Sequence, residues 1–279
     1  MDREALLERA LTLADEEDWA AAAELLRDHL SDFDEDPAIH CWLAVAEREL
    51  GMDGVAYERF KRTLALEPAD PYVLATAGNG VAAFDDPDAE TALRTAALTA
   101  PHLAVTRMLY GAYLSREGFT DDSIRELTAA REIDADDPQI AYELGVAYAL
   151  AGDHDRATDV LADAVRLDPE DGWTRIVFGL ELLEADRLDE GVGELISGAR
   201  IREDDVDAQL AAALAAGAIG RDGTAYEMLE RARIRAIDVD MVMVLAVEDR
   251  LDGGHEAAKS LLMEEVAPDM LRTRLSERP

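Results

Sequence analysis

The most restrictive feature of this sequence is a period of 33 or 34 residues that runs along its length. Small residues in apolar, helix-like surroundings recur at that spacing at two points of every period. The first series is Ala10, Ala44, Gly78, Gly111, Gly145, Gly179, Ala213 and Ala246. The second series is Ala22, Ala56, Ala89, Ser123, Ala157, Gly191, Ala225 and Ala258. Such a period predicts an array of small units that bury their apolar faces by stacking on their neighbours.

Each period has room for two short amphipathic helices. In the fifth, Leu144 and Tyr148 lie at helical spacing before Gly152, and Ala157 and Leu161 lie at helical spacing after it. Glycine favours a break there because it adopts a left-handed backbone at little cost. Glycines stand in this place at Gly51, Gly118, Gly152, Gly220 and Gly253. The small residues of the two series are expected where paired helices cross, since a larger side chain would hold the backbones apart.

Three Asp-Pro pairs mark helix starts. They are Asp36-Pro37, Asp70-Pro71 and Asp137-Pro138. Aspartate accepts the unpaired amide hydrogens at the start of a helix, and proline fills the first helical position without losing a hydrogen bond. The sequence therefore predicts an all-α fold of short helix pairs with capped turns between them.

The order of residue types within each unit is similar to that of the tetratricopeptide repeat (TPR) family. The fifth unit carries Leu144, Gly145, Tyr148, Gly152, Ala157, Leu161, Ala164 and Pro169, and the second carries Leu43, Ala44, Gly51, Ala56, Phe60 and Pro68. The resemblance covers almost the whole chain and implies a right-handed alpha-solenoid of about eight helix-turn-helix repeats plus a C-terminal capping helix. The implied repeats form one continuous array at about 3–36, 37–70, 71–103, 104–137, 138–171, 172–205, 206–238 and 239–267, followed by the capping helix at 268–279.

The resemblance also implies a function. TPR proteins hold other proteins, and the first helix of each repeat lines a concave groove. The positions implied to face that groove here are Tyr72, Asn79, Met108, Tyr142, Val146, Trp173, Ile176 and Leu180. An apolar, aromatic-bearing surface in an acidic molecule is typical of an interaction site for a helical or extended protein segment. The alternative is that these side chains pack between neighbouring repeats.

Some relatives grip the C-terminal carboxylate of a partner with lysines, arginines and asparagines on this surface. Asn79 matches one such asparagine, but Cys41, Trp42 and Glu8 stand at partnering positions. The resemblance therefore does not extend to a carboxylate clamp.

The last segment differs in character from the repeats. After Pro268, an apolar face is formed by Met270, Leu271 and Leu275, and basic residues stand at Arg272, Arg274 and Arg278. One interpretation is a terminal helix that caps the open end of the array. The other is a tail that folds back into the groove and competes with a partner.

Charge restricts the class of partner. The chain has 62 acidic and 27 basic residues and a formal net charge of -35, and its only lysines are Lys61 and Lys259. Carboxylate-rich, lysine-poor surfaces resemble those of salt-accumulating archaea, because molar salt screens the repulsion between carboxylates. The alternative is an acidic decoy for basic partners, although the charge is spread along the whole chain. Nucleic-acid binding is disfavoured, since phosphate contacts need a basic patch.

No catalytic or metal-binding pattern stands out. The five histidines, His29, His40, His102, His154 and His255, lie in different units. His40 and Cys41 are adjacent, so on a helix they point about 100° apart and would not share a metal. The acidic run that starts at Asp134 has Pro138 and Gln139 where a calcium loop needs a ligand and a glycine. We therefore expect no enzyme, no cofactor and no metal.

The remaining expectations concern the setting of the protein. No apolar run approaches the roughly 18 residues that span a bilayer, the start Met1-Asp2-Arg3-Glu4 is unlike a signal peptide, and the single cysteine, Cys41, cannot form an internal disulfide. We expect a soluble, cytoplasmic adaptor or scaffold that binds protein and neither nucleic acid nor membrane. The alternative function is a self-associating structural subunit, a homo-oligomer built through the ends of the array or the C-terminal segment.

Overall fold

The computed structural model describes residues 1–276, which contain α-helices joined by short turns and no strand. The first eight helices are α1 (Arg3–Asp15), α2 (Trp19–His29), α3 (Pro37–Glu49), α4 (Asp53–Ala65), α5 (Pro71–Ala82), α6 (Asp88–Thr99), α7 (Ala104–Arg116) and α8 (Thr120–Ile133). They are followed by α9 (Pro138–Leu150), α10 (His154–Leu167), α11 (Gly172–Glu184), α12 (Leu188–Ile201), α13 (Val206–Ala218), α14 (Asp222–Arg235), α15 (Met241–Asp252), α16 (His255–Leu261) and α17 (Ala267–Ser276). A π-helical turn, Leu262–Val266, joins α16 to α17.

Consecutive helices pack as pairs, which confirms the predicted all-α fold. The first helix of a pair contacts the second, as in α3 with α4, α9 with α10 and α11 with α12. The second helix then contacts the first helix of the following pair, as in α4 with α5 and α12 with α13. Eight such pairs precede α17, in the order that the period predicted. None of the described helices combines the length and the apolar character that crossing a membrane would need.

By internal contacts, the chain divides into two compact units. The first consists of residues 1–117 and 125–133, and the second of residues 118–124 and the chain from Asp134 onward. In the first unit, buried leucines and alanines of α1 to α3 form one core cluster. In the second, a larger cluster joins apolar residues of α9 to α17.

Small residues allow the helices of a pair to approach closely, as predicted. A Cβ atom added to Gly145 would lie 2.6 Å from Cγ of Leu161. At Gly179 it would lie 2.9 Å from both Cγ and the backbone nitrogen of Leu195 and 3.0 Å from the carbonyl oxygen of Gly191. Real Cβ atoms essentially never come so close, so the period of small residues is a packing requirement.

The turn inside each helix pair repeats a left-handed backbone conformation. Positive φ angles occur at Glu17, Gly51, Asp85, Gly118, Gly152, Asp186, Gly220 and Gly254, at intervals of 33 or 34 residues. Gly253 lies in the last of these turns as predicted, where it caps α15 with φ -70°, and the left-handed residue is the adjacent Gly254, φ 92°. Three of the eight turns use an acidic residue where glycine would be less strained.

Aspartates cap the helices, as predicted for the Asp-Pro pairs. Oδ1 of Asp36, Asp70 and Asp137 accepts a backbone N–H two residues later at 2.9, 2.9 and 2.8 Å. The sequence analysis missed further caps of the same kind, at Asp2, Asp18, Asp153, Asp171 and Asp205. A good part of the recurrent acidity in the turns therefore stabilises helix starts.

Candidate protein-binding site

In the first unit, the candidate groove residues lie on α5 and α7. Tyr72 is 39% exposed, and its ring stacks on Trp42 with the ring centroids 6.0 Å apart. Asn79 is half-buried and Met108 is buried. Of these three residues, Tyr72 is the one with an exposed aromatic side chain.

In the second unit, the candidate residues lie on the first helices α9 and α11. Tyr142, Val146, Ile176 and Leu180 are buried, and Trp173 is half-buried. The indole Nε1 of Trp173 donates to the hydroxyl of Tyr142 at 2.8 Å, which fixes the orientation of the indole ring. A partner contacting this face of the folded protein as it stands would meet the Trp173 ring more readily than the four buried residues.

The C-terminal helix packs on the same two first helices. α17 contacts α11 and α9, and it begins one residue earlier than predicted, at Ala267. Its apolar residues are buried in the core cluster that also contains Tyr142, Val146, Ile176 and Leu180; they are Met270, Leu271 and Leu275. The helix thus follows the last repeat and also lies on first helices of the fifth and sixth pairs. Arg278, part of the predicted basic tail, lies outside the described residues.

Arg274 of α17 is held by an aromatic and acidic pocket. Its guanidinium carbon lies 4.4 Å from the centroid of the Trp173 ring, and its Nη2 donates to Oδ2 of Asp205 at 2.6 Å. The Arg274 and Asp205 side chains are only 11% and 8% exposed. An ion pair and a cation–π contact are both stronger when water is excluded.

The pocket is fixed by the surrounding structure. Asp205 caps α13 by accepting the N–H of Ala208 at 3.0 Å, so its carboxylate has a set position. A second guanidinium, that of Arg202, lies 5.7 Å from the Trp173 centroid and 3.6 Å from Asp205. Trp173 therefore stands between the hydroxyl of Tyr142 and two guanidinium groups, an arrangement suited to planar cations.

A cleft of about 420 Å³ borders α17. Apolar and acidic side chains line it, including Leu210, Met243, Met270, Asp207, Glu265 and Asp269. Burial, and then the nearby Asp205 carboxylate, raises the pKa of Asp207. The lining combines apolar and acidic side chains with Arg274 of α17 itself, a mixture that suits a segment carrying apolar and basic residues.

The second unit also contains an ionisable pair in which one member, Glu181, is buried and the other, His154, is partly exposed. Nδ1 of His154 on α10 lies 3.0 Å from Oε2 of Glu181 on α11, and Glu181 is fully buried. Burial raises the pKa of Glu181, and the hydrogen bond to Glu181 raises the pKa of His154. The second carboxylate oxygen, Oε1, has no hydrogen-bond partner among the described residues. This pair joins the fifth helix pair, through His154 on α10, to the sixth, through Glu181 on α11.

No group of three or more His, Cys, Asp or Glu side chains in residues 1–276 is arranged to hold a metal ion. His40, buried beside Cys41, places Nε2 2.9 Å from the carbonyl oxygen of Asp34, so its contact is structural. Burial raises the pKa of the Cys41 thiol to about 12, which disfavours a reactive thiolate.

One of the two sequence-based interpretations of the C-terminal segment placed it back in the groove, but it did not pair Arg274 with Trp173. Arg202 and Asp205 were missed altogether, because the turn that carries them looked like one more acidic turn. The contact between Arg274 and Asp205 spans 69 residues, and neither the helical period nor the repeat period contains that information.

Comparison with known proteins identifies the fold. No protein-family model matches the sequence, and no curated protein matches it significantly. The structure is similar to Cut9–Hcn1, a hetero-tetramer of APC/C, over 87% of this chain at 17% identity with a TM-score of 0.70, although this chain spans about half (48%) of that one. It is similar to pilF of Pseudomonas aeruginosa over 71% of this chain and 90% of that chain, at 15% identity and a TM-score of 0.58. YrrB, a TPR protein with an unusual peptide-binding site, aligns at 19% identity with a TM-score of 0.44. The alignment covers 60% of this chain and 87% of the YrrB chain. The fold class is an all-α solenoid of helix pairs.

Proposed function

We propose that this protein is a protein-interaction scaffold that binds a helical segment on the first helices of its repeats. The observation that carries this proposal is α17: the face formed by α9 and α11 already holds a helix, through buried apolar side chains and the Arg274 pocket. A surface that binds one amphipathic helix has the shape and the polar contacts to bind another.

Two aromatic residues are the proposed anchors, one in each unit. Trp173 presents a ring that already stacks on a cation, and Tyr72 presents a ring that is exposed and supported by Trp42. Tyrosine and tryptophan are enriched among residues that dominate binding energy, and truncating such a residue typically costs about 2 kcal/mol or more. Around each anchor, the proposed contact surface consists of the other candidate residues of the same unit: Asn79 and Met108 with Tyr72 in the first, and Tyr142, Val146, Ile176 and Leu180 with Trp173 in the second.

The test is capture of partners by the tagged full-length chain in molar salt, comparing wild type with Trp173→Ala and Tyr72→Ala. The matched control is Tyr226→Ala, because Tyr226 is equally exposed (40%) but lies on a second helix, α14. The proposal expects a specific partner that is lost with at least one of the first two variants and kept with the control. A partner that all three variants retain would move binding away from the first helices.

Self-association is a second candidate function, and an exposed apolar segment in the last two repeats favours it. Ile234, Ile237, Val239 and Val242 are between 66% and 77% exposed, which is unusual in such an acidic chain. We expect the mass in light scattering to rise with protein concentration and to fall to that of a monomer in Val242→Glu. A monomer at all concentrations would exclude this function.

The proposed setting is the cytoplasm of a salt-accumulating cell. The support is the composition: 62 acidic residues, 27 basic residues and a net charge of -35. Such a charge keeps a protein dispersed when the salt concentration is molar, and it destabilises the compact state when the salt is dilute.

A further inference from the structure

We infer that α17 occupies, within its own chain, the site of a partner helix that carries an arginine, so that the partner binds by displacing α17. The inference rests on the proposed function and adds to it both the chemistry of the partner and a built-in competitor.

The contacts of α17 are those of a ligand. Its buried side chains contribute to the core cluster of the second unit, while Asp269 and Arg272 on the same helix are 75% exposed and pair with each other. The polar anchor, Arg274, enters a pocket whose other members are held independently: Trp173 by Tyr142 and Asp205 by its cap on α13. If α17 were removed, Trp173 and Asp205 would stay in place, and Asp205 would lose its ion pair with Arg274.

The connection to the array favours release. α17 is the last ten residues of a helical run that begins at His255, and a segment of that length is marginal in water unless it docks. The π-helical turn Leu262–Val266 interrupts the regular hydrogen-bond ladder between α16 and α17, and such turns are where a helix can bend. α16 itself contacts α13, so it remains anchored when α17 leaves.

The pocket selects the partner by chemistry. A planar guanidinium can stack on Trp173 and donate to Asp205 at the same time, whereas an ammonium group does so less well. On α17, the buried apolar residues and the arginine follow the pattern i, i+1, i+4, i+5 in Met270, Leu271, Arg274 and Leu275. The acidic rim of the adjacent cleft, with Asp207 and Glu265, would attract a helix with further basic residues.

Occupation in cis lowers the affinity for a partner. The apparent dissociation constant equals the intrinsic one divided by the fraction of molecules in which α17 has left the site. A substitution that releases α17 without touching the pocket should therefore tighten binding of an external helix.

The experiment uses a fluorescein-labelled synthetic peptide with the sequence of residues 266–279 as the probe, and the full-length protein in molar salt. The release variant is Leu271→Asp/Arg274→Ala, and the matched control is Arg272→Ala, on the exposed face of the same helix. We expect the release variant to bind the peptide at least about ten-fold more tightly than wild type, and the control to bind like wild type. A peptide with lysine in place of Arg274 should bind the release variant more weakly than the original peptide.

Two results would overturn the inference. One is a release variant that binds the peptide no more tightly than wild type. The other is a release variant that loses helicity beyond the ten residues of α17, because α17 would then be a structural part of the array. The proposed function is judged separately: a partner that is lost in Trp173→Ala but captured equally by wild type and the release variant would keep the scaffold and remove the competitor.

Discussion

At the scale of single residues, the contact between partly exposed His154 and buried Glu181 makes stability depend on pH. Both pKa values are raised in the folded state, so the folded protein binds protons more tightly than the unfolded chain. The resulting stabilisation is fully present at low pH and is lost as pH rises, from about 4.5 upward for Glu181 and from about 6.5 upward for His154.

We expect Glu181→Gln to flatten this pH dependence, because the substitution removes both the buried carboxylate and the cause of the raised His154 pKa. The measurement is the free energy of unfolding by urea in molar salt between pH 5 and pH 9, for wild type and variant. The control is Glu256→Gln, an exposed glutamate on α16. Parallel curves for wild type and Glu181→Gln would show that the pair does not titrate as described.

Backbone strain at the turns gives a second prediction for single residues. Asp186 has φ 59° in the turn where the neighbouring repeats have Gly152 and Gly220. Asp186→Gly is expected to raise the free energy of unfolding by about 1 kcal/mol, and Gly152→Ala to lower it by about the same amount. A Cβ at Gly152 would meet nothing within 4 Å, so its effect would come from the backbone alone. Urea unfolding of Asp186→Gly and Gly152→Ala measures both changes in the free energy of unfolding. Changes of the same sign in the two variants would contradict the prediction.

At the scale of helices, packing within a pair depends on the absence of side chains at crossing points. Gly179→Ala places a methyl group 2.9 Å from the Leu195 backbone and is expected to destabilise the fold by about 2 kcal/mol. Gly193→Ala, on α12 of the same pair, meets nothing within 4 Å and should stabilise by about 0.5 kcal/mol through helix propensity. Thermal unfolding in molar salt compares the two. Equal changes in melting temperature for the two variants would mean that the helices at the Gly179 crossing are packed less closely than these distances indicate.

The helices were predictable because their determinants are local. The period of small residues, the glycines of the turns and the Asp-Pro starts each act within a few residues, and the structure follows them at nearly every repeat. The last turn shows the limit of this local information. Gly253 and Gly254 are adjacent, and the sequence alone does not decide which of them takes the left-handed conformation.

The candidate site was less predictable. The eight groove residues were carried over from the resemblance, which assigns positions but not what lies on them. The contacts of Arg274 with Trp173 and Asp205 depend on where α17, about a hundred residues after Trp173 in the chain, packs. That placement follows from the tertiary arrangement of α17 with α9 and α11, which no spacing in the sequence records.

At the scale of the whole molecule, net charge sets the conditions in which the chain folds. Lowering the salt from 1 M to 0.1 M lengthens the Debye length from about 3 Å to about 10 Å, so carboxylates repel each other over longer distances. With a net charge of -35, we expect helical circular dichroism and the melting temperature to fall over this range. Unchanged values in dilute salt would show that the acidic surface is not an adaptation to salt.

The central claim is that the first-helix face of the second unit holds a helix through Trp173. Hydrogen–deuterium exchange of the full-length chain in molar salt, for wild type and Trp173→Ala, tests it most directly. The account predicts that residues 267–276 are protected in wild type and exchange rapidly in the variant, while the helices of the first unit keep their protection. Equal exchange of residues 267–276 in both proteins would contradict it, because α17 would then not depend on the face to which we assign binding.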